Sequence, residues 1–472
     1  MQQPTLSRTN YIILLIAGIL ALALFWPTGL YFLNDDLIHI PLSEKGIFGQ
    51  RNSVRLFNDF TIYVDSLLYH KSATGYHLSN LLWHVASCIA LYFLILQLQY
   101  RKMLPSIKGQ ATLCSVLFFC YPFHSESIFW IIGRGSTISA LFLFIALIAY
   151  LKKNEYFFAG LASIIAFGIA LLTYESVWCF FIILFFIAHQ LIKTKQSTIN
   201  KELTWSSAWL LCFLLFLIYR QKATGSLYGQ YELNNVEGNV LIGMAGNLAR
   251  LVLRSFSMPM ENSGWFVILS IMLIALFIYA LWKTYKIQTA PGGLIMGLMV
   301  CYVVSLIAYL SFGIDTHGTE SERYLYLPSV FICLLLSIII MHLRQASIRA
   351  VATAAVLGYF IIALGLSSKN YRIASEIVSG TFGILQQSDK KYAVFKNVPG
   401  DYKGAVMLRL GLKEGWAWLK EKPLPDSIII QSYSDNDRLF KETGVRRIQT
   451  LGNMSNEVMI IDYDAIGIKV SQ

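Results

Sequence analysis

The sequence predicts a polytopic α-helical membrane protein with about eleven transmembrane helices and a small C-terminal α/β domain. Composition is the first sign: 56% of the 472 residues are hydrophobic and 14% charged, where a water-soluble domain carries about 45–50% apolar and about 25% charged residues. The second is that apolar runs near the length needed to cross about 30 Å of hydrocarbon recur up to residue 366. The third is a change near residue 368, beyond which short strand-like runs alternate with turn residues. A purely soluble enzyme and a disordered chain are thereby excluded. The 32 Gly and 11 Pro follow no fixed period, which excludes a collagen-like chain.

The spans fall at about 10-27, 76-98, 109-122, 129-151, 156-173, 176-192, 205-219, 264-282, 292-312, 327-342 and 349-366. The first has no small-residue cleavage site before the acidic loop that follows, so it reads as a retained helix rather than a signal peptide. Arg101, Lys102 and Lys108 share one connection; Lys152 and Lys153, Lys193, Lys195 and Lys201, Lys283 and Lys286, and Arg344 and Arg349 share others. The alternate connections 121-128 and 173-176 carry no Lys or Arg. This asymmetry places the N-terminus in the cytoplasm and the last hundred residues outside. In a bacterium that means the inner membrane and the periplasm. The net charge of +11 therefore reports orientation, and no nucleic-acid partner is expected. Cys88, Cys114, Cys120, Cys179, Cys212, Cys301 and Cys333 lie in or beside apolar runs without CxxC spacing, so neither disulfides nor a zinc site are expected.

The chain thus divides into a transmembrane domain, 1-367, with outer loops 28-75, 220-263 and 313-326, and an extracytoplasmic α/β domain, 368-472. In the first loop Phe57, Phe60, Val64 and Leu67 recur at helical spacing opposite Asn58, Asp59 and Asp65, as in a helix lying flat on the membrane. The stretch 240-256, with Arg250 and Arg254, is either a second such helix or a twelfth span; the loop charges favour eleven. After a helical stretch to about Gln387, strand-like runs fall at Tyr392–Phe395, Ser427–Gln431 and Glu457–Asp462. No tandem repeats of the helical-repeat kind follow.

Ionisable groups at membrane depth cost about 2.5–3.5 kcal/mol each, so those at span ends need water, a partner or a function. Four clusters map to the outer side. Asp35 and Asp36, with His39 nearby, offer a carboxylate that could take the proton from an acceptor hydroxyl; the bland reading is a solvated loop or a helix N-cap. His124 and Glu126 sit at a helix entrance, with Arg134 about two turns on, and the alternatives are a functional site or capping and packing. Glu175, on a short outer turn, is either a partner of Arg134 or an outer-loop cation, or a hydrated carboxylate. Glu322, Arg323, Tyr324 and Tyr326 lead into the tenth span. The Arg323 fork suits phosphate, while the tyrosines serve equally as interfacial anchors. His77, Asn80 and His84 share one face of the second span and read as helix-to-helix hydrogen bonding. No phosphate-cradling glycine loop, HExxH or GxSxG is present, which leaves a nucleotide-driven pump or a serine hydrolase unsupported.

In the segments Tyr76 to His84, Pro122 to Ser127 with Gly133 and Arg134, and Glu322 to Pro328, the chain resembles the membrane part of the transmembrane and tetratricopeptide-repeat O-mannosyltransferases and their bacterial relatives. More broadly it resembles the GT-C superfamily of polyprenyl-phosphate-sugar-dependent glycosyltransferases. The likeness covers residues 10-366 in order and spacing. It implies an outward-facing catalytic cavity, with Asp35 or Asp36 as general base and His124 and Glu126 near the acceptor or a metal. Arg134, Arg323, Tyr324 and Arg254 would hold the lipid phosphate, with His39, Glu175 and Glu322 in support. Two departures bear on the acceptor: the repeat tail is missing, and Asp-Asp replaces Asp-Glu after the first span. The segment Asn397 to Ala405 is similar to one in the C-terminal domains of other bacterial membrane glycosyltransferases.

The expected function is an inverting glycosyltransferase that moves a hexosyl or pentosyl group from a polyprenyl-phosphate carrier such as undecaprenyl phosphate. The acceptor is a hydroxyl on protein, lipid A or polysaccharide, with Mg²⁺ or Mn²⁺ as a possible metal. The alternative is a lipid-linked sugar flippase or transporter, which calls for broken helices at the midplane and internal repeats. A scaffold would leave the clustered charges unexplained.

Overall fold

The computed structural model describes residues 5–46, 54–178, 180–225, 240–260, 263–286, 292–312, 314, 316–387, 392–420, 428–430, 458–464 and 467–471. Helix α1 (Arg8–Phe25) starts where the Ser7 hydroxyl accepts the Asn10 N–H at 3.2 Å. It buries Asn10, Leu14, Ala17, Ala21 and Phe25 and exposes Leu15, Ile16 and Ile19, a narrow inward stripe on an otherwise lipid-compatible rod. The short α2 (Asp36–Ser43) follows, then α3 (Leu56–Tyr69) and the long α4 (Ala73–Tyr100).

In α3 the expected surface helix is present, and its polar side is the one turned inward. Asn58, Asp59 and Asp65 are buried, while Leu67 and Leu68 are exposed. With lipid rather than water outside, apolar side chains lose nothing by facing out, and polar ones need partners within the protein.

After α5 (Gln110–Phe119), the chain does not run on as one helix through the span expected at 129-151. A 3-10 turn at Pro122–His124, the five-residue α6 (Ser125–Phe129) and a second 3-10 turn at Ile131–Arg134 come before α7 (Gly135–Lys152). The fold-back needs Gly133, because a Cβ there would lie 2.4 Å from the Glu126 carbonyl oxygen. Asn80 of α4 braces the break by donating to the carbonyls of Ile128, Trp130 and Ile131 at 3.0–3.3 Å. His77 and His84 of the same face also bond across helices, to the Tyr31 carbonyl at 3.1 Å and the Tyr326 hydroxyl at 2.7 Å.

The bundle continues with α8 (Phe157–Leu171), α9 (Phe180–Lys193), α10 (Ile199–Thr224), α11 (Val240–Arg254), α12 (Ser263–Lys286), α13 (Gly292–Leu306), α14 (Ser329–Met341) and α15 (Ala346–Gln387). Every one of the eleven sequence-read spans falls on an apolar helix. Among the described residues six helices are long and apolar enough to cross a membrane and five more apolar helices are shorter. The chain is a multi-pass membrane protein. Helix α11 is amphipathic, with Asn247, Leu251 and Arg254 buried and Leu241 and Ile242 exposed.

The basic connections meet at one end. Arg101 pairs with Glu155 at 2.6 Å, Gln196 donates to the Arg101 carbonyl, and Arg349 donates to the Thr5 carbonyl. No helix break marks residue 368: the composition shift lies inside α15, whose 42 residues reach about 63 Å at 1.5 Å per residue. The helix therefore runs beyond a hydrocarbon core of about 30 Å and carries the outer sheet. Thr381 Oγ1 and Tyr463 OH lie 2.8 Å apart across that junction.

The sheet holds β1 (Tyr392–Lys396), β4 (Ile428–Ile430), β5 (Val458–Asp464) and β6 (Gly467–Ser471) in the order β4-β1-β5-β6. Its β1 is parallel to both neighbours, and β6 is antiparallel to β5. Between β1 and β4 come the small β2 (Asp401–Tyr402) and β3 (Ala405–Val406) pair and α16 (Leu412–Lys420). Ser427, Gln431 and Glu457, the expected strand ends, lie outside the described residues, as does Cys179. Helix α16 docks on α2: Trp418 donates to Glu44 at 2.8 Å and its ring meets Phe32 edge-on at 5.0 Å.

Candidate active site at the sheet end of the bundle

The turn between α1 and α2 carries both candidate acids and separates their roles. Asp36, first residue of α2, is fully buried. One of its oxygens accepts the Leu33 N–H at 3.0 Å and the other the Ile132 N–H at 3.1 Å. Burial pushes its carboxyl up to about 7, against the pull of those N–H groups. As a candidate base Asp36 is corrected: it ties the acid turn to the break before α7, and neither oxygen is left for an acceptor.

Asp35 is partly exposed and accepts one hydrogen bond, from Asn34 Nδ2 at 3.0 Å. Among the described residues no cation stands within salt-bridge distance of it. Burial raises its carboxyl above the usual range; His39, Arg323 and Arg409 pull it down, and Glu320 adds to the rise. Those four half-buried groups are its charged surroundings, and Arg409 reaches Glu320 at 2.7 Å.

Arg323 stands at the opening. Its guanidinium lies 5.0 Å from the centre of the Trp130 ring and 5.2 Å from that of Tyr324, with 15% of its side chain exposed. Tyr324 is buried against Tyr309 at 4.6 Å and accepts from Arg323 at 3.3 Å. Tyr326 is also buried, so the interfacial-anchor reading fails for both tyrosines.

Several expected site residues lie beneath this surface. Glu126 is sealed and paired with Arg323 at 3.1 Å, so it holds the cation and does not face an acceptor. His124 is sealed too, its ring 4.2 Å from Tyr326 and 4.7 Å from Phe118, with Nε2 2.8 Å from the Ser329 hydroxyl. It is a core histidine, not an acid–base group. Arg254, expected on the phosphate, is fully buried and pairs with Glu322 at 2.7 Å, while Ser125 donates to the other Glu322 oxygen. Both Glu322 oxygens are thus taken by protein groups.

Arg134 is corrected as well. It is fully buried, ion-paired with Asp65 of α3, and donates to the Ile131 and Tyr76 carbonyls at 3.2 and 3.1 Å. Its guanidinium is used by protein groups. Glu175 pairs not with Arg134 but with Arg55, just before α3, at 3.0 Å and Arg220, near the end of α10, at 2.8 Å. Burial alone would raise its carboxyl, yet the two guanidiniums hold it down at about 2.

Sequence reasoning placed Asn34 and Glu320 in the outer clusters without giving either a role, and missed Arg409 near Asp35 and Asp65, Arg55 and Arg220 as ion-pair partners. Arg409 lay in a tail read as a separate domain. Asp65 sat on a helix face read as facing water. Its one signal was three polar residues on an otherwise apolar helix at the membrane. Among the described residues no group of three His, Cys, Asp or Glu could hold a metal ion.

Fold and charge placement define a multi-pass helical membrane protein in which the ion pairs of Glu126, Glu320 and Glu322 gather at one end of the bundle, beside a small mixed sheet. No protein-family profile matches the chain. Two curated proteins are similar to part of it: the protein O-mannosyl-transferase F38B6.6 of Caenorhabditis elegans, 31% identical over 103 residues (22% of this chain, 14% of that protein), and the human protein O-mannosyl-transferase TMTC3, 27% identical over 121 residues (26% and 12%). The chain thus spans a small fraction of the length of these relatives, and the resemblance read in the sequence is found again in them. Among solved structures it is similar to the oligosaccharyltransferase of Archaeoglobus fulgidus tethered with an acceptor peptide, with a TM-score of 0.43, 11% identity, and 82% of this chain and 61% of that one covered. It is similar also to ArnT from Cupriavidus metallidurans in the apo state, at 0.41 and 11%, covering 96% and 93%.

Proposed function

We propose that the chain is an integral-membrane glycosyltransferase of GT-C type. It moves a sugar from a polyprenyl-phosphate carrier to a hydroxyl acceptor on the outer face of a bacterial inner membrane. Its eleven helices then cross the bilayer with the N-terminus in the cytoplasm and the sheet in the periplasm. The observation that carries this reading is Asp35: among the described residues no cation stands within salt-bridge distance of its carboxylate, one of its oxygens takes the Asn34 amide N–H, and Arg323 is one of the charges that act on it.

Asp35 takes the acceptor proton as the acceptor oxygen bonds to the anomeric carbon, and the carbon–oxygen bond to the carrier phosphate breaks. Attack opposite the leaving group inverts the anomeric configuration. Arg323 balances the charge on the departing phosphate, which needs a cation more than an acid. Asp35 and the donor phosphate are the groups that would hold a divalent cation, which would supply further positive charge to the leaving group.

A groove of about 380 Å³ between α12, α14 and α15 supports a lipid-linked donor. Its walls, including Phe123, Phe256, Phe277, Leu336 and Val356, are almost wholly hydrocarbon. The Phe123 end lies against Arg254, whose partner Glu322 precedes Arg323. A polyprenyl chain in the groove would bring its phosphate toward that turn.

The test is transfer of labelled sugar from polyprenyl-phosphate sugars, mannose first, by purified protein in lipid discs, with mass spectrometry of surface glycans in a deletion strain. Label transfer that stops in Asp35→Ala supports the reading. No turnover with any such donor, together with unchanged surface glycans in Asp35→Ala cells, overturns it.

A further inference from the structure

Asn34 has a left-handed backbone, φ 47°, a conformation in which Asn is enriched several-fold among non-glycine residues. It is 5% exposed and both ends of its amide are engaged. Nδ2 donates to Asp35 Oδ1 at 3.0 Å, and Oδ1 accepts the Leu410 N–H at 2.8 Å. A backbone N–H can only donate, so Leu410 dictates which way the amide points and hence that its N–H₂ faces the acid. The Asn34 N–H in turn donates to the Met407 carbonyl at 2.6 Å.

The same stretch of the outer domain grips the turn that carries Arg323. Thr319 donates its N–H and its hydroxyl to the Gly404 carbonyl at 2.9 and 2.8 Å, and Arg409 pairs with Glu320 at 2.7 Å. The fit is close at both ends. A Cβ on Gly404 would lie 2.9 Å from Gly318 Cα, and one on Gly411 would lie 2.6 Å from the Asn34 carbonyl oxygen. Both glycines have φ above 80°.

We infer that Asn34 is a positioning residue for the Asp35 carboxylate, and that segment 404–411 of the outer domain sets the spacing between Asp35 and Arg323. This rests on the reading of Asp35 as the base. Held by one oxygen, the carboxylate presents the other to the acceptor, and the amide N–H favours its anion. The remaining charges that face it are His39 on α2, Arg323 and Glu320 on the outer turn, and Arg409 on the clamp, with Asp36 following in the chain.

The experiment measures transfer from polyprenyl-phosphate-mannose across pH for wild type, Asn34→Asp, Asn34→Gly, Gly411→Ala and Asp35→Asn, each with its thermal unfolding midpoint. Asn34→Asp keeps the acceptor for Leu410 but replaces the donor to Asp35 with a second anion. It should lower kcat about a hundredfold, the scale of a misplaced catalytic group, and move the acid limb of the profile to higher pH. Gly411→Ala, far from Asp35 in sequence, should lower kcat while the donor KM changes little. A role limited to folding would lower the midpoint and leave the profile in place. Wild-type kcat and pH profile in both Asn34 variants, with Asp35→Asn inactive, overturns the inference and leaves the base assignment standing. An active Asp35→Asn overturns the assignment of the base itself, and the inference with it.

Discussion

Arg323 donates its backbone N–H to Glu126 Oε2 at 2.8 Å, and its guanidinium Nη1 lies 3.1 Å from Oε1 of the same carboxylate. One buried acid thus fixes both where the cation starts and where it points. Glu126 belongs to the broken helix before α7 and Arg323 to the turn before α14, so the contact joins the two ends of the site.

Replacing Arg323 by Lys keeps a charge but loses the planar fork that answers a carboxylate and a phosphate together. Steady-state kinetics should show the donor KM raised about tenfold, equivalent to about 1.4 kcal/mol of binding, with kcat lowered as well. An unchanged KM would remove Arg323 from the donor site.

The two acids of the outer turn should behave differently. Asp35→Asn should lower kcat about a thousandfold, within the range of a general base. Asp36→Asn should cost less than about tenfold, since an amide oxygen can still accept one of the two N–H groups. Parallel transfer assays on the two folded variants check this.

Stability should depend on pH through Asp36 with a sign opposite to that of most carboxylates. Its folded value of about 7 lies above the ordinary 3.8. The folded protein therefore holds a proton that the unfolded chain releases. Its contribution is fully present below about pH 4, declines as pH rises toward 7, and is lost above. The difference in unfolding midpoint between wild type and Asp36→Asn should change across that window. Glu175, held at about 2, runs the other way: its contribution is present above its ordinary 4.5 and disappears as pH falls toward 2.

Breaking the Arg134–Asp65 pair should destabilise strongly, because either partner alone leaves a buried charge unanswered. Arg134→Met or Asp65→Leu should each cost about 3–5 kcal/mol, and the double variant should recover much of the loss. Unfolding in detergent provides the cycle. Additive losses would mean that the two side chains do not depend on each other.

Much of the helical architecture was legible, because crossing hydrocarbon demands long local runs of apolar residues and needs no knowledge of partners. Break points and pairings were not. The interruption at Pro122–Arg134 depends on a glycine packed on a carbonyl seven residues back and on Asn80 bracing from α4. Nothing in an apolar run from 129 to 151 announces it. The acidic turn, Glu126 and Arg323 were read from sequence as three separate clusters on one side of the membrane, while the contacts that join them were not.

By itself the sequence determined which segments are helices suited to lipid, and that ionisable residues gather at their ends. Both follow from transfer free energy, a property of each residue and its near neighbours. Only the tertiary structure decided which charges neutralise each other. Arg134 finds Asp65, Arg254 finds Glu322 and Glu175 finds two arginines, while Asp35 has no cation partner among the described residues. The energy of a buried charge depends on what stands within a few ångströms of it, and contacts bridging up to 376 residues of chain exist only once the helices have packed.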